Sequence, residues 1–154
     1  MDNDGVIAVC LSGGLDSSLS LAMIRDLYPD AQIRAFTMGG SSEHEDMCAA
    51  EVVARHFKVD HVPCVPIPRV VQAARHQLEE LTGKKESDGS VGVFLLYEFM
   101  SVFVGSDVVI AHDGIDELMG GYWGHRAPRT RIEKARAFKR FWRVLEPDHL
   151  VPLE

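Results

Sequence analysis

Val6 to Leu11 reads VIAVCL, and Ser12 to Ser18 reads SGGLDSS. The first stretch is a short β-prone apolar run, the pattern of a parallel strand covered on both faces. The second carries two glycines after Ser12 and runs into Leu15 to Leu27, where Leu15, Leu19, Ala22 and Met23 share one helical face. Strand, glycine turn and helix in direct succession open a βαβ layer, and that succession decides the fold.

The same rhythm continues outward. Tyr28-Pro29-Asp30 stops the helix, and Gln32 to Met38 is a second strand. A Gly39-Gly40-Ser41-Ser42 loop leads to a helix over Glu43 to Phe57, with acidic residues at its dipole-positive start. Lys58 to Val62 is a third strand, and Ile67 to Leu81 has helical spacing. Thr82 to Ser90, TGKKESDGS, is polar and reads as a loop or mobile lid. Val91 to Val104 predicts a buried helix, and Asp107 to Ala111 a fourth strand. An acidic glycine-rich loop follows, then a helix near Glu117 and a last one from about Ile132 to Leu145. The alternation predicts one doubly wound α/β domain over residues 1–154: a mainly parallel open sheet flanked by helices, Rossmann-like. Ligands of such sheets sit at the carboxyl ends of the strands.

Two loops stand at such ends. In the first, Gly13 and Gly14 let the backbone turn tightly beside an anion. Helix-start N–H groups and the hydroxyls of Ser12, Ser17 and Ser18 can donate to phosphate. The pattern is neither G-x-G-x-x-G nor G-x-x-x-x-G-K-[ST]. Asp16 would repel a phosphate unless it holds Mg2+ whose shell the phosphate completes. The plainer alternative is a glycine turn with an Asp or Ser helix cap. In the second loop, His112 to Tyr122 (HDGIDELMGGY), Asp113, Asp116 and Glu117 crowd together. That crowding is costly without a cation or a basic side chain. Asp116 can pair with Asp16 on Mg2+; the alternative is an acidic surface turn.

Composition narrows the class. The chain of 154 residues is 46% hydrophobic and 25% charged, which argues for an ordered globular protein. No run approaches the length of a membrane span. Cys10, Cys48 and Cys64 are widely spaced, which suggests neither a disulfide framework nor a zinc site. Met1 to Val6 hold two aspartates and no basic residue, so this stretch does not read as a signal peptide. A cytoplasmic location is expected.

The charge, −7 overall, reverses along the chain: 8 Lys and Arg against 19 Asp and Glu through residue 124, then 8 against 4 from residue 125. The basic segment 125–154 reads as a solvated amphipathic helix, a small-molecule phosphate contact or a nucleic-acid arm. The acidic body weighs against nucleic acid.

At the two loops the chain resembles the synthetase domain of glutamine-dependent asparagine synthetases and the related β-lactam synthetases, ATP pyrophosphatases with a PP-loop. Ser12 to Ser18 (SGGLDSS) carries the first match. Asp113 to Tyr122 (DGIDELMGGY) resembles the family's acidic-Gly-x-Asp-Glu-Leu-Phe-Gly-Gly-Tyr. Phe36-Thr37-Met38-Gly39 is similar to the segment bordering adenine, His61 to a histidine after the second helix, and His125-Arg126-Ala127-Pro128 to His-Lys-Ala-Pro. The resemblance implies an adenine nucleotide alpha-hydrolase-like fold. It implies ATP over Leu11, Ser12, Gly13, Gly14, Asp16, Ser17, Ser18, Thr37, Met38 and Gly114, with Mg2+ on Asp16 and Asp116. A carboxylate would attack the α-phosphorus, pyrophosphate would leave, and ammonia would attack the acyl-adenylate. Asp113 would position or deprotonate the amine, Arg126 would offset phosphate charge, and Glu117 would join them as a catalytic candidate.

The family's asparagine synthetases begin with a glutaminase domain, and their synthetase domain continues well past the position of Tyr122. From this sequence, ammonia is expected from elsewhere. The expected partners are a small carboxylate and ammonia, with a separate glutaminase subunit or a homo-oligomer completing the site, and with nucleic acid and membrane set aside. An ATP-binding relative acting on another carboxylate or on tRNA, and a non-catalytic nucleotide-binding module, are the alternatives.

Overall fold

A computed structural model describes residues 6–103, 108–116, 127 and 130–142. The chain divides into two compact units, Met1–Ala111 and His112–Glu154. In the first, β1 (Ile7–Cys10), α1 (Leu15–Leu27), β2 (Ile33–Met38), α2 (Glu45–Phe57) and β3 (Asp60–Cys64) alternate. Then α3 (Pro68–Thr82), α4 (Asp88–Phe103) and β4 (Val108–Ile110) follow. The strands form one parallel sheet in the order β3-β2-β1-β4. The predicted doubly wound α/β architecture is the one observed. The strand order reverses direction at β1, which makes the carboxyl end of β1 the switch point where such sheets bind ligands.

Alternation along the strands supplies both faces. Val9 and Ala35 pack with Leu21 and Ile24 of α1 and Ala50 and Ala54 of α2. Ala8 and Phe36, pointing the other way, meet Met100 of α4. Phe36 and Phe99 add an edge-to-face contact with centroids 6.2 Å apart. Ala74 of α3 packs with Val91 and Leu95 of α4.

Three local expectations change. The sequence predicts Leu15, Leu19, Ala22 and Met23 as the inner face of α1, but Ser17, Leu21 and Ile24 are the buried residues. Leu15 is 82% exposed. Ser17 bonds back to Ser12 and Gly14 of the preceding loop, on the same side of the helix that carries Leu21 and Ile24 into the core. The third strand begins at Asp60 rather than Lys58. Lys58 takes a left-handed conformation (φ 53), and the N–H groups of Lys58 and Val59 close the end of α2 on Arg55 and Ala54.

The predicted lid is a strapped helix connection. Arg75 of α3 donates to the Glu86 carbonyl at 2.7 Å and to the Asp88 carboxylate. The Glu86 N–H donates to Glu79 at 3.2 Å.

In the second unit, the Ile115 N–H closes a turn on the His112 carbonyl, with Gly114 at φ 87. Helix α5 spans Arg131–Trp142. Thr130 and Glu133 cap it reciprocally, the Thr130 N–H donating to Glu133 at 3.0 Å and the Glu133 N–H to Thr130 Oγ1 at 3.2 Å. The predicted continuation to Leu145 lies outside the described residues. No helix among the described residues is long and apolar enough to cross a membrane.

Candidate functional site

The loop Ser12–Ser18 leaves β1 at the switch point. Its hydroxyls shape it from within. The Ser17 hydroxyl donates to the Gly14 carbonyl at 3.2 Å, so the Ser12 hydroxyl donates to Ser17 Oγ, also at 3.2 Å. The Ser12 N–H donates to Ser17 Oγ and the Gly14 N–H to Ser12 Oγ, both at 3.3 Å. Ser12 and Ser17 thus hold the turn.

The two glycines differ. Gly13 has φ 76, and a Cβ there would lie 2.5 Å from the Ala49 carbonyl carbon and 2.6 Å from the Ala50 nitrogen. Its missing side chain lets the loop lie against α2. Gly14 is exposed, and a Cβ there would meet only Ser12 Oγ, at 3.3 Å.

Gly14 is the N-cap of α1, with no side-chain cap. The first helical bond is the Ser18 N–H to the Gly14 carbonyl at 3.0 Å. The backbone N–H groups of Leu15, Asp16 and Ser17 therefore lack helical acceptors at the dipole-positive end. Ser18 Oγ is buried without a hydrogen-bond partner. A buried hydroxyl beside open N–H donors fits a group rich in acceptor oxygens, such as a phosphate. Asp16 sits half-buried in the first turn.

Leu11 is buried where the chain leaves the sheet, and its N–H donates to the Phe36 carbonyl at 2.8 Å. Thr37 is also buried. Its hydroxyl donates to the Leu11 carbonyl at 2.5 Å and lies 3.0 Å from His61 Nε2. Those contacts occupy the Thr37 side chain. Met38, half-buried at the end of β2, packs toward Ala74, Val91 and Leu95. His61 is the residue whose link to this loop the strand pattern did not expose. Burial pushes its pKa down, while Glu51 and Asp60 oppose that shift more weakly.

Asp113, Gly114 and Asp116 lie in the second unit, Asp113 exposed and the other two half-buried. Glu117 and Arg126 lie outside the described residues. Among the described residues, no three His, Cys, Asp or Glu side chains converge as metal ligands.

A protein-family model described as asparagine synthase matches residues 1–152. A putative glutamine-hydrolyzing asparagine synthetase of Methanocaldococcus jannaschii is 28% identical over 94% of this chain and 28% of its own length. The human glutamine-hydrolyzing asparagine synthetase is 31% identical over 81% of this chain and 24% of its own length. The chain thus spans about a quarter of the length of these relatives. Among solved structures, a glutamine-dependent NAD+ synthetase from Acinetobacter baumannii, in complex with ADP, shares the fold. Its TM-score is 0.52 at 18% identity, covering 90% of this chain and 32% of that one.

The expectation that sets nucleic acid aside is corrected. A predicted subunit of tRNA methyltransferase from Methanocaldococcus jannaschii aligns over 88% of this chain and 63% of its own, at 16% identity and TM-score 0.47. A U34-tRNA thiolase from Methanococcus maripaludis aligns over 99% and 75%, at 14% identity and TM-score 0.37. Proteins named for tRNA thus occur among the structural matches, and an acidic body does not exclude such a partner. Likenesses this distant assign none either. The match across residues 1–152 places the chain in the asparagine synthase family.

Proposed function

We propose that the chain is the ATP-binding part of a PP-loop synthetase, which adenylates an acceptor and releases pyrophosphate. The observation that carries this reading is the uncapped start of α1, with the buried, unpartnered Ser18 hydroxyl beside it. The N–H groups of Leu15, Asp16 and Ser17 would donate to phosphate oxygens, and Ser18 would gain its missing acceptor. The end of β2, at Met38 and the backbone of Thr37, would border the adenine.

An acceptor oxygen would attack the α-phosphorus. A new O–P bond forms, the bond from the α-phosphorus to the bridging oxygen breaks, and pyrophosphate leaves. Donors already fixed at the helix start would stabilise the developing charge without reorganisation. Asp16, in the first turn of α1, is a candidate to hold Mg2+, which would neutralise phosphate charge when bound; such ions commonly use one or two carboxylates and substrate phosphates. Asp116, in the second unit, is a candidate by the family resemblance alone. Arg126 and Glu117 are catalytic candidates by the family resemblance alone.

Amide formation from an adenylated carboxylate is the second reading, favoured by the family match over residues 1–152. In it Asp113 would orient the attacking amine. Pyrophosphate release with ATP and Mg2+, screened across amino-acid carboxylates and bulk tRNA as acceptors, tests both. Release with any acceptor supports adenylation, and release with a carboxylate alone favours the second reading. No nucleotide turnover with any acceptor counts against both.

A further inference from the structure

We propose that His61 and Thr37 form a positioning relay that fixes the start of the phosphate loop. The proposal deepens the reading that Ser12–Ser18 receives ATP phosphates, and rests on it for its functional consequence. In a continued parallel ladder, the Leu11 carbonyl would accept from the Met38 N–H. Here the Thr37 hydroxyl donates to that carbonyl instead. The substitution occurs where the chain leaves β1 for Ser12.

The hydroxyl has one proton. Donated to Leu11, it leaves Thr37 Oγ1 an acceptor toward His61, so His61 Nε2 carries a proton and donates across 3.0 Å. The direction is therefore fixed: His61 N–H to Thr37 oxygen, Thr37 O–H to Leu11 carbonyl. Donors in series polarise one another. His61 lies on β3, paired with Ala35, so the relay crosses from β3 through β2 to the end of β1. It ends one residue before Ser12, whose N–H and hydroxyl both bind Ser17. His61 and Thr37 are positioning residues: neither is required to touch the nucleotide.

The test uses the full chain with Thr37→Val, Thr37→Ser, His61→Leu and His61→Gln. Amide hydrogen exchange is measured without nucleotide, and ATP affinity is measured separately. Thr37→Val should speed exchange of the Ser12, Gly14 and Ser18 amides, which are the hydrogen-bonded ones in this loop, about fivefold to tenfold, as expected for one lost hydrogen bond, while β1 and β2 stay protected. Thr37→Ser should restore protection, and His61→Gln should retain more than His61→Leu. His61→Leu added to Thr37→Val should have little further effect, because His61 acts through Thr37.

Unchanged loop exchange in Thr37→Val would overturn the relay. So would acceleration spread evenly over β1 and β2, which would mark a merely structural role. If the wild-type chain binds ATP, Thr37→Val should weaken it and Thr37→Ser should not; equal affinity in both overturns the relay's functional part. A wild-type chain that binds no ATP refutes the proposed function and with it the relay's functional part, while the exchange pattern still decides the positioning.

Discussion

Gly13 and Ala49 leave no room for a side chain between them: a Cβ on Gly13 would stand 2.5 Å from the Ala49 Cβ. The same glycine holds φ 76, so Gly13→Ala meets both a clash and an unfavourable backbone. It should lower stability by about 1–3 kcal/mol in urea unfolding. Gly14→Ala, whose Cβ meets only Ser12 Oγ, should change stability by less than about 1 kcal/mol. Equal losses would contradict the different roles assigned to the two glycines.

Ser18 gives a prediction with opposite signs. Its hydroxyl is buried without a partner. Ser18→Ala should leave the nucleotide-free protein as stable as before, or stabilise it by about 1 kcal/mol, since an unsatisfied group is removed. ATP affinity should fall. Thermal unfolding with and without ATP measures both, and parallel losses would mean that the hydroxyl is satisfied in the free protein.

His61 makes stability depend on pH. Burial lowers its pKa from the ordinary 6.5. Below 6.5 the unfolded chain takes up a proton that the folded chain resists, so unfolding is favoured as pH falls toward the folded pKa. Above 6.5 both states are neutral at this position and the contribution is flat. Wild type should therefore lose more stability than His61→Gln as pH falls from the neutral range to below 6.5. Parallel pH profiles would refute the assignment.

Arg75 ties α3 to the segment before α4 through the Glu86 carbonyl and Asp88. Arg75→Met keeps the stem but removes these donors. Amide exchange at residues 83–87 should accelerate with little global cost, because Asp88 is fully exposed and its ion pair is screened. Unchanged exchange would mean that the strap is not what orders the connection.

Much of the fold is legible in the sequence. Helix α1 matches its predicted bounds, Leu15 to Leu27, because glycines precede it and Tyr28-Pro29 follows it. The strands follow from short apolar runs. Helix rotation is not legible there: the pattern groups Leu15 and Leu19 on one apolar face, whereas the opposite side packs inward through Leu21 and Ile24 and bonds back to the loop through Ser17. The polar composition of residues 82–90 suggests a lid because Arg75, which holds it, lies outside that window. Thr37 is singled out by the family resemblance, but its bonds to Leu11 and His61 need the strand register. Asp16 is singled out by its place in SGGLDSS, and its role is a proposal.

The most direct measurement is an ATP titration of the full chain followed through backbone amide chemical shifts. Saturable one-to-one binding is expected, with the largest shifts at Gly14 to Ser18 and weaker binding in Ser18→Ala. No saturable binding, or shifts centred away from that loop, would contradict the assignment of Ser12–Ser18 as the phosphate site.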